Sequence, residues 1–167
     1  MNEEQKMVLD YHRKMGFTIN DCPTVIGSIQ VKDRSDILQE EVDELRTALE
    51  NGNLGEIADG IGDAIYVLIG TAVACGIDIK PIFKEIHRSN MTKTPPLSET
   101  GKAIKGEGYS PPKLESILSS QMYLDEPCPK CEGSGKLQDP VHDWVVIDCF
   151  ICKGKGLKPQ NFDKLYG

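Results

Sequence analysis

Two acidic clusters on consecutive helices constrain this chain more than any other feature. The stretch from Glu40 to Asp63, EEVDELRTALENGNLGEIADGIGD, has helical periodicity on both sides of a tight Asn51-Gly52 turn. At about 100° per residue, Leu38, Val42, Leu45 and Leu49 fall in one narrow apolar stripe, with Glu41 and Glu44 on its flank and Glu40 farther round. On the following helix Ile57, Ile61, Ala64 and Leu68 make the stripe, and Glu56, Asp59 and Asp63 share a sector about 60° wide beside it. Packed antiparallel, these helices bring several carboxylates to one boundary between core and water. Like charges so placed repel unless cations sit between them, and hard oxygen donors suit Mg²⁺ or Mn²⁺. A single acidic flank is usually a solvated face; paired clusters on consecutive helices favour a metal site. Glu56 has a second role open to it, because Asn53-x-x-Glu56 fits a capping box in which Glu56 folds back to the Asn53 amide.

The rest of the chain extends the helical pattern. Residues 2–15 place Met7, Val8, Tyr11 and Met15 on one face, with Gly16 as the stop. The acidic helix begins somewhere between Ser28 and Ser35. Its successor, capped by Asn53, runs to about Cys75 and includes AIYVLIGTAVAC, so its middle is expected to be buried on most sides. Gly60, Gly62 and Gly70 in that helix are poor helix formers, which points to close approach of another helix or of substrate. Asp78 caps a fourth helix, with Pro81 in its first turn and Ile82, Phe83 and Ile86 inward. From Met91 to Pro112 the composition turns to Thr, Pro, Gly and Lys, an ordered or ligand-ordered loop, and KLESILSSQMYL reads as a short helix after it.

Two further properties narrow the possibilities. The net charge of −7 argues against non-specific binding of nucleic-acid polymers and leaves small anions possible where cations mediate. No apolar run approaches about 18 residues and MNEEQKMVLD lacks the apolar core of a signal peptide, so a cytoplasmic protein that spans no membrane is expected.

Four of the six cysteines form two CxxC pairs, CPKCEGSG from Cys128 and CFICKGKG from Cys149, with 17 residues between Cys131 and Cys149. Thiolates of Cys128, Cys131, Cys149 and Cys152 can fill the tetrahedral shell of a structural Zn²⁺, and each glycine pair allows a tight turn after its knuckle. WVVID between them reads as a hairpin strand, and His142 is superfluous as a ligand. The repeated CxxCxGxG is similar to the cysteine-rich domain of DnaJ chaperones, with two copies where those have four, which implies one zinc and not their function. Zinc either staples a tail too short for its own core or serves a recruiting module.

EEVDEL, EIADGIGDAIYVLIGTAVACGID, HRSNMTK and GKAIKGEGYSPP together resemble the phage-type, MazG-like branch of the all-α nucleoside triphosphate pyrophosphohydrolases, over roughly residues 8–112. The resemblance implies an all-α bundle completed by oligomerisation, as a homodimer or homotetramer, over residues 1–123, followed by the zinc-binding β-hairpin module at 124–167. It implies Mg²⁺-dependent cleavage between the α and β phosphates of a nucleoside triphosphate, with a deoxynucleotide expected. The family's metal ligands carry over to Glu41, Glu44, Asp59 and Asp63, with Glu40 or Glu41 as the base. Many relatives have ExxD, and the Glu position is Gly60 here, so Asp59 takes the role, or Glu56 pairs with it. Asn90, Lys93, Lys102, Lys105 and Tyr109 match the family's substrate loops; on their own these residues could equally form a solvated loop. The resemblance places the enzyme in the cytoplasm of a bacterium, or of a host cell if phage-encoded. The alternatives are a phosphoribosyl-ATP pyrophosphohydrolase and a non-catalytic adaptor docking through the zinc module. A di-iron bundle is excluded, since none of His12, His87 and His142 lies three residues after a Glu.

Overall fold

The computed structural model describes residues 1–95, 101–142, 144–160 and 163. The chain divides into two compact units, Met1–Leu114 and Glu115–Gly167, whereas the sequence reading drew the boundary after Tyr123.

The first unit is helical: α1 (Glu3–Met15), α2 (Ser28–Asn51), α3 (Leu54–Ala74) and α4 (Ile79–Asn90). Each end has a local cause. The Asn2 side chain accepts from the Gln5 N–H to start α1, and Gly16 stops it in the left-handed conformation at φ 71°. α2 starts at Ser28 without a capping side chain; Gln30 Oε1 instead reaches back to the Gly27 N–H at 3.2 Å. Asn53 Oδ1 accepts from the N–H groups of Gly55 and Glu56, as half of a capping box requires. The reciprocal half is not made: the Asn53 N–H donates to Ala48 O at 3.3 Å, and Glu56 is left to another use.

The antiparallel pair α2 and α3 is the spine. Arg34, Leu38, Glu41, Leu45 and Ala48 are the wholly or partly buried residues of a single seam on α2, spaced by three and four. Opposite them, Gly60 comes so close that a β-carbon there would stand 3.1 Å from Leu45 Cα, and one at Gly70 would stand 2.8 Å from Arg34 Nη1. Gly62 meets nothing.

Several apolar expectations are corrected by this seam. Val42 and Leu49 on α2 and Ile61 and Leu68 on α3 lie exposed, a turn away from the contact the stripes were expected to make. Only 28 % of the most apolar window of α3 is buried, not most of its circumference. By length and composition α3 could cross a membrane, with a mean hydropathy of 1.5. Phe83 on α4 is 71 % exposed. The buried face of α1 is Gln5, Val8 and His12, while Met7, Tyr11 and Met15 are exposed. Two of those three are polar and both are satisfied. Gln5 donates to Ile77 O at 2.7 Å and accepts from the Ile79 N–H at 3.0 Å, pinning α1 to the α3–α4 turn.

The second unit begins with α5 (Leu114–Met122), which straddles the division, and continues with β1 (Tyr123–Pro127), β2 (Lys136–Gln138), β3 (Val146–Asp148) and β4 (Leu157–Pro159). β1 pairs antiparallel with β4 and β2 with β3. Each CxxCxGxG segment is therefore flanked by two strands, one entering and one leaving, and the two copies exchange contacts symmetrically. The Cys128 N–H donates to Gly156 O and the Cys149 N–H to Gly135 O, both at 2.8 Å. A β-carbon on Gly135 would lie 2.4 Å from Gly154 O, and one on Gly156 would lie 2.4 Å from Gly133 O. Side chains are excluded where the knuckles cross.

Candidate functional sites

The α2–α3 seam brings the acids together. Glu40, Asp43, Glu44, Glu56 and Asp59 line a cleft of about 550 Å³ whose wall includes Gly60. Glu41 lies at the edge of the seam, half-buried. Its carboxyl is pushed up by desolvation and then by the charges of Asp63, Glu44, Glu40 and Asp59. Those causes identify its neighbours: the five acids expected from the sequence form one electrostatic group across two helices. Glu56 joins the cleft because its capping bond is not made, so the ground for leaving it out of the ligand set disappears.

The donor chemistry fits a hard divalent cation, since like charges gathered around Glu41 are stabilised by a positive charge between them. Their oxygens are splayed, however. Among the described residues, the cysteine set is the one group of three or more ligand atoms lying within 4.8 Å of one another.

The lysine loop has a firm base. Thr94 and Ile104 exchange backbone hydrogen bonds at 3.0 Å in both directions, which closes the segment between them. Arg88 grips Glu85 through two hydrogen bonds, at 2.9 and 2.8 Å, and reaches Ser110 Oγ and Pro111 O. The Arg88 guanidinium and the Lys113 N–H hold the Glu85 carboxyl down to about 2. Ser110 N–H also donates to Thr92 Oγ1 at 2.9 Å. These anchors were not anticipated, though Glu85-x-x-Arg88 is a legible i,i+3 helix pair. Of the expected substrate residues, Asn90 lies at the end of α4, Lys93 just beyond it, and Lys102 is exposed. Lys105 Nζ stands 5.1 Å from the centre of the Tyr109 ring, so one face of Tyr109 is already covered. Residues 96–100, within the same loop, lie outside the described residues.

A second constellation was not anticipated at all. His12 is 2 % exposed and donates from Nδ1 to Thr18 O at 2.9 Å. That tautomer leaves Nε2 as an acceptor, and Arg34 Nη2 donates to it at 3.1 Å. Burial lowers the His12 pKa, with Thr18 O opposing and Arg34 assisting. Burial also pulls the Arg34 guanidinium below its ordinary value.

In the second unit Cys128, Cys131, Cys149 and Cys152 are all buried and converge. Cys128 and Cys149 Sγ are 3.9 Å apart, Cys131 and Cys152 Sγ 3.8 Å. A disulfide would need about 2 Å. Four sulfurs at about 2.3 Å from one tetrahedral Zn²⁺ stand roughly 3.8 Å from each other, so the set has the spacing of a zinc shell. Backbone N–H groups of Gly135 and Gly156 donate to Cys131 and Cys152 Sγ, each at 3.2 Å, supporting thiolate charge in both knuckles alike. Burial pushes Cys152 up to about 11, a cost that a bound cation removes. His142 stands apart and exposed, against Trp144.

Residues 8–90 match the family model described as phosphoribosyl-ATP pyrophosphohydrolase, a pyrophosphohydrolase class. The matched segment contains most of α1 and all of α2, α3 and α4, with every acid of the cleft. The chain is also 34 % identical over 99 residues to "Uncharacterized protein L479" of Acanthamoeba polyphaga mimivirus. That similarity covers 57 % of this chain and 39 % of the relative, so the chain spans about two-fifths of the relative's length.

Proposed function

From that match and the acid group it contains, we propose that this chain is a Mg²⁺-dependent pyrophosphohydrolase that converts a deoxynucleoside triphosphate to the monophosphate and pyrophosphate. The observation that carries the proposal is the convergence of Glu40, Glu41 and Glu44 with Asp59 and Asp63 across the Leu45–Gly60 contact. Glu41, Glu44, Asp59 and Asp63, with Glu56 beside them, would hold the cation, which when bound offsets the charge that develops on the departing pyrophosphate. Glu40 or Glu41 holds the attacking water and accepts its proton. The water oxygen bonds to the α phosphorus, the α–β bridging P–O bond breaks, and pyrophosphate leaves with the bridging electron pair. Glu41 suits the base role because desolvation, and then its acidic neighbours, raise its proton affinity. Lys93, Lys102 and Lys105, with Asn90 and Tyr109, bind the remaining anionic and sugar parts of the substrate.

The description of the matching family favours one second reading, phosphoribosyl-ATP as substrate. A single panel separates the two. Purified protein with Mg²⁺ is expected to release pyrophosphate from one or more deoxynucleoside triphosphates faster than from phosphoribosyl-ATP, without any inorganic phosphate. Release of phosphate with a diphosphate product would remove the proposal, and phosphoribosyl-ATP as the sole substrate would install the second reading. An inert protein that still bound nucleotide would point to the adaptor alternative.

The unit is also expected to assemble. Val42, Leu49, Ile61, Ile65 and Leu68 give the α2–α3 pair a second apolar face, which in a lone chain stays in water. Burying such side chains gains about 1.5–3 kcal/mol each when complete, so a second copy is the expected cover, closing the bundle as a dimer or tetramer. Light scattering at micromolar concentration should give a multiple of 18.4 kDa; a strict monomer would contradict it.

A further inference from the structure

Arg34 is a half-buried guanidinium that, among the described residues, makes one hydrogen bond, to a neutral imidazole, and no ion pair. It faces a cavity of about 320 Å³. Phe17, Ile37 and Ala74 give this cavity apolar walls, and Thr18, Gln30 and Asp33 give it a polar edge. The volume falls at the low end of small-molecule sites.

The chemistry of the lining selects among ligands. A free phosphate or other small dianion would meet one cation and, in Asp33, a like charge. It would gain nothing from the apolar walls. A flat ring with polar edges gains from every wall: apolar faces against Phe17 and Ile37, acceptors toward Arg34, donors toward Asp33. Arg34 has four N–H groups besides the one given to His12, set in a planar fork. His12 fixes that fork, because its own proton is committed to Thr18 O.

Position then connects the cavity to the acids. Asp33, Ile37, Glu40 and Glu44 succeed one another at intervals of four, three and four, so they form one row along α2. The first two line the cavity and the last two line the acidic cleft. Asp33 and Glu40, seven residues apart, are separated by about 10 Å along the axis. The span of a nucleoside from base to phosphate is of that same order.

We propose that the Arg34 cavity receives the base of the nucleotide whose phosphates lie at the acidic cleft, and that Arg34 donates to an exocyclic carbonyl of that base. Guanine, cytosine and uracil or thymine carry such a carbonyl; adenine does not. The inference rests on the pyrophosphohydrolase reading for its phosphate end, and on the cavity alone for its base end.

Two measurements keep these apart. In turnover, Arg34→Gln is expected to raise KM by on the order of ten- to a hundred-fold for the deoxynucleotides of guanine, cytosine and thymine, the loss of one charged hydrogen bond. The deoxyadenosine substrate should be changed less than three-fold, with kcat little altered for all. Asp33→Asn, on an exposed turn of α2, should shift the ranking among the carbonyl bases with no change in thermal midpoint. In direct titration without Mg²⁺, wild type should bind GMP, CMP or UMP more tightly than AMP, and Arg34→Gln should lose the difference with helix content unchanged. A uniform effect of Arg34→Gln on all four nucleotides, a fall in kcat alone, or a wild-type preference for adenine would overturn the proposal. If no nucleotide were hydrolysed, the titration would still decide: selective binding lost in Arg34→Gln sustains the cavity, and equal or absent binding removes it.

Discussion

Glu44→Gln is expected to lower Mg²⁺-supported turnover by on the order of a hundred-fold or more, with little change in stability. Glu44 is exposed in the acidic cleft, so its replacement opens no cavity, and surface changes of this kind stay within about 0.5 kcal/mol. The amide keeps the shape of the side chain and removes the charge a cation needs. A second readout follows from the electrostatics. Glu44 is one of the charges that raise the Glu41 carboxyl, so Glu41 should titrate at lower pH in Glu44→Gln, as NMR would follow. The sign of the wild-type effect is also fixed. A folded carboxyl with a raised pKa binds its proton more tightly than the unfolded one, so folding gains as pH falls through that raised value. Cation binding runs the other way, because it requires the carboxylate, and activity should rise with pH through the same value. Near wild-type activity in Glu44→Gln, with Mg²⁺ and substrate at saturation, would show that Glu44 is not a ligand.

Removing zinc should unfold the second unit and leave turnover in place. The cysteines make up most of its buried cluster, joined by Ile151 with Tyr123 and Leu137 packed against them. That is too little apolar surface to order some fifty residues by itself. Binding energy at such sites amounts to about 10–16 kcal/mol in small zinc peptides and is largely their folding energy. Cys149→Ser, or a strong chelator at neutral pH, should therefore abolish about one zinc per chain. It should also expose the Cys128 amide, which donates to Gly156 O, to fast hydrogen exchange. The seam residues of α2 and α3 share no ligand with the cysteines, so the helical unit should keep its melting temperature within a few degrees and its pyrophosphate release within about two-fold. Loss of turnover on zinc removal, with the helices intact, would mean that the two units function as one.

The sequence was most readable where local chemistry decides the structure. Gly16, Asn53 and Asp78 act as caps at their expected places, and the four cysteines converge as their spacing demands. It was least readable where polar residues occupy apolar positions. Hydrophobic stripes put Leu38, Val42, Leu45 and Leu49 in the seam; Leu38 and Leu45 lie there, but Arg34, Glu41 and Ala48 take the other positions, with Gly60 opposite Leu45 and Gly70 opposite Arg34. Gln5 and His12 deceived the reading of α1 in the same way: each is buried because its polar atoms are satisfied by backbone or Arg34, a condition no periodicity records. The acids of the cleft, Asp43 excepted, were named from spacing and resemblance, whereas the Arg34 cavity draws on α2, the end of α3 and the loop after α1 and has no linear signature.

The pairing of β1 with β4 sets Tyr123 opposite Pro159, so the cysteine-rich segment enters and leaves at one edge. A segment with neighbouring ends places almost no geometric demand on what flanks it, and such segments tolerate insertion and transplantation well. Grafted between two residues of a surface loop elsewhere, residues 123–159 would neither stretch the recipient nor lose a ligand. The same closure makes the segment portable as cargo: a fluorophore or affinity peptide placed after β4 would emerge beside the start of β1, leaving the knuckle tips free.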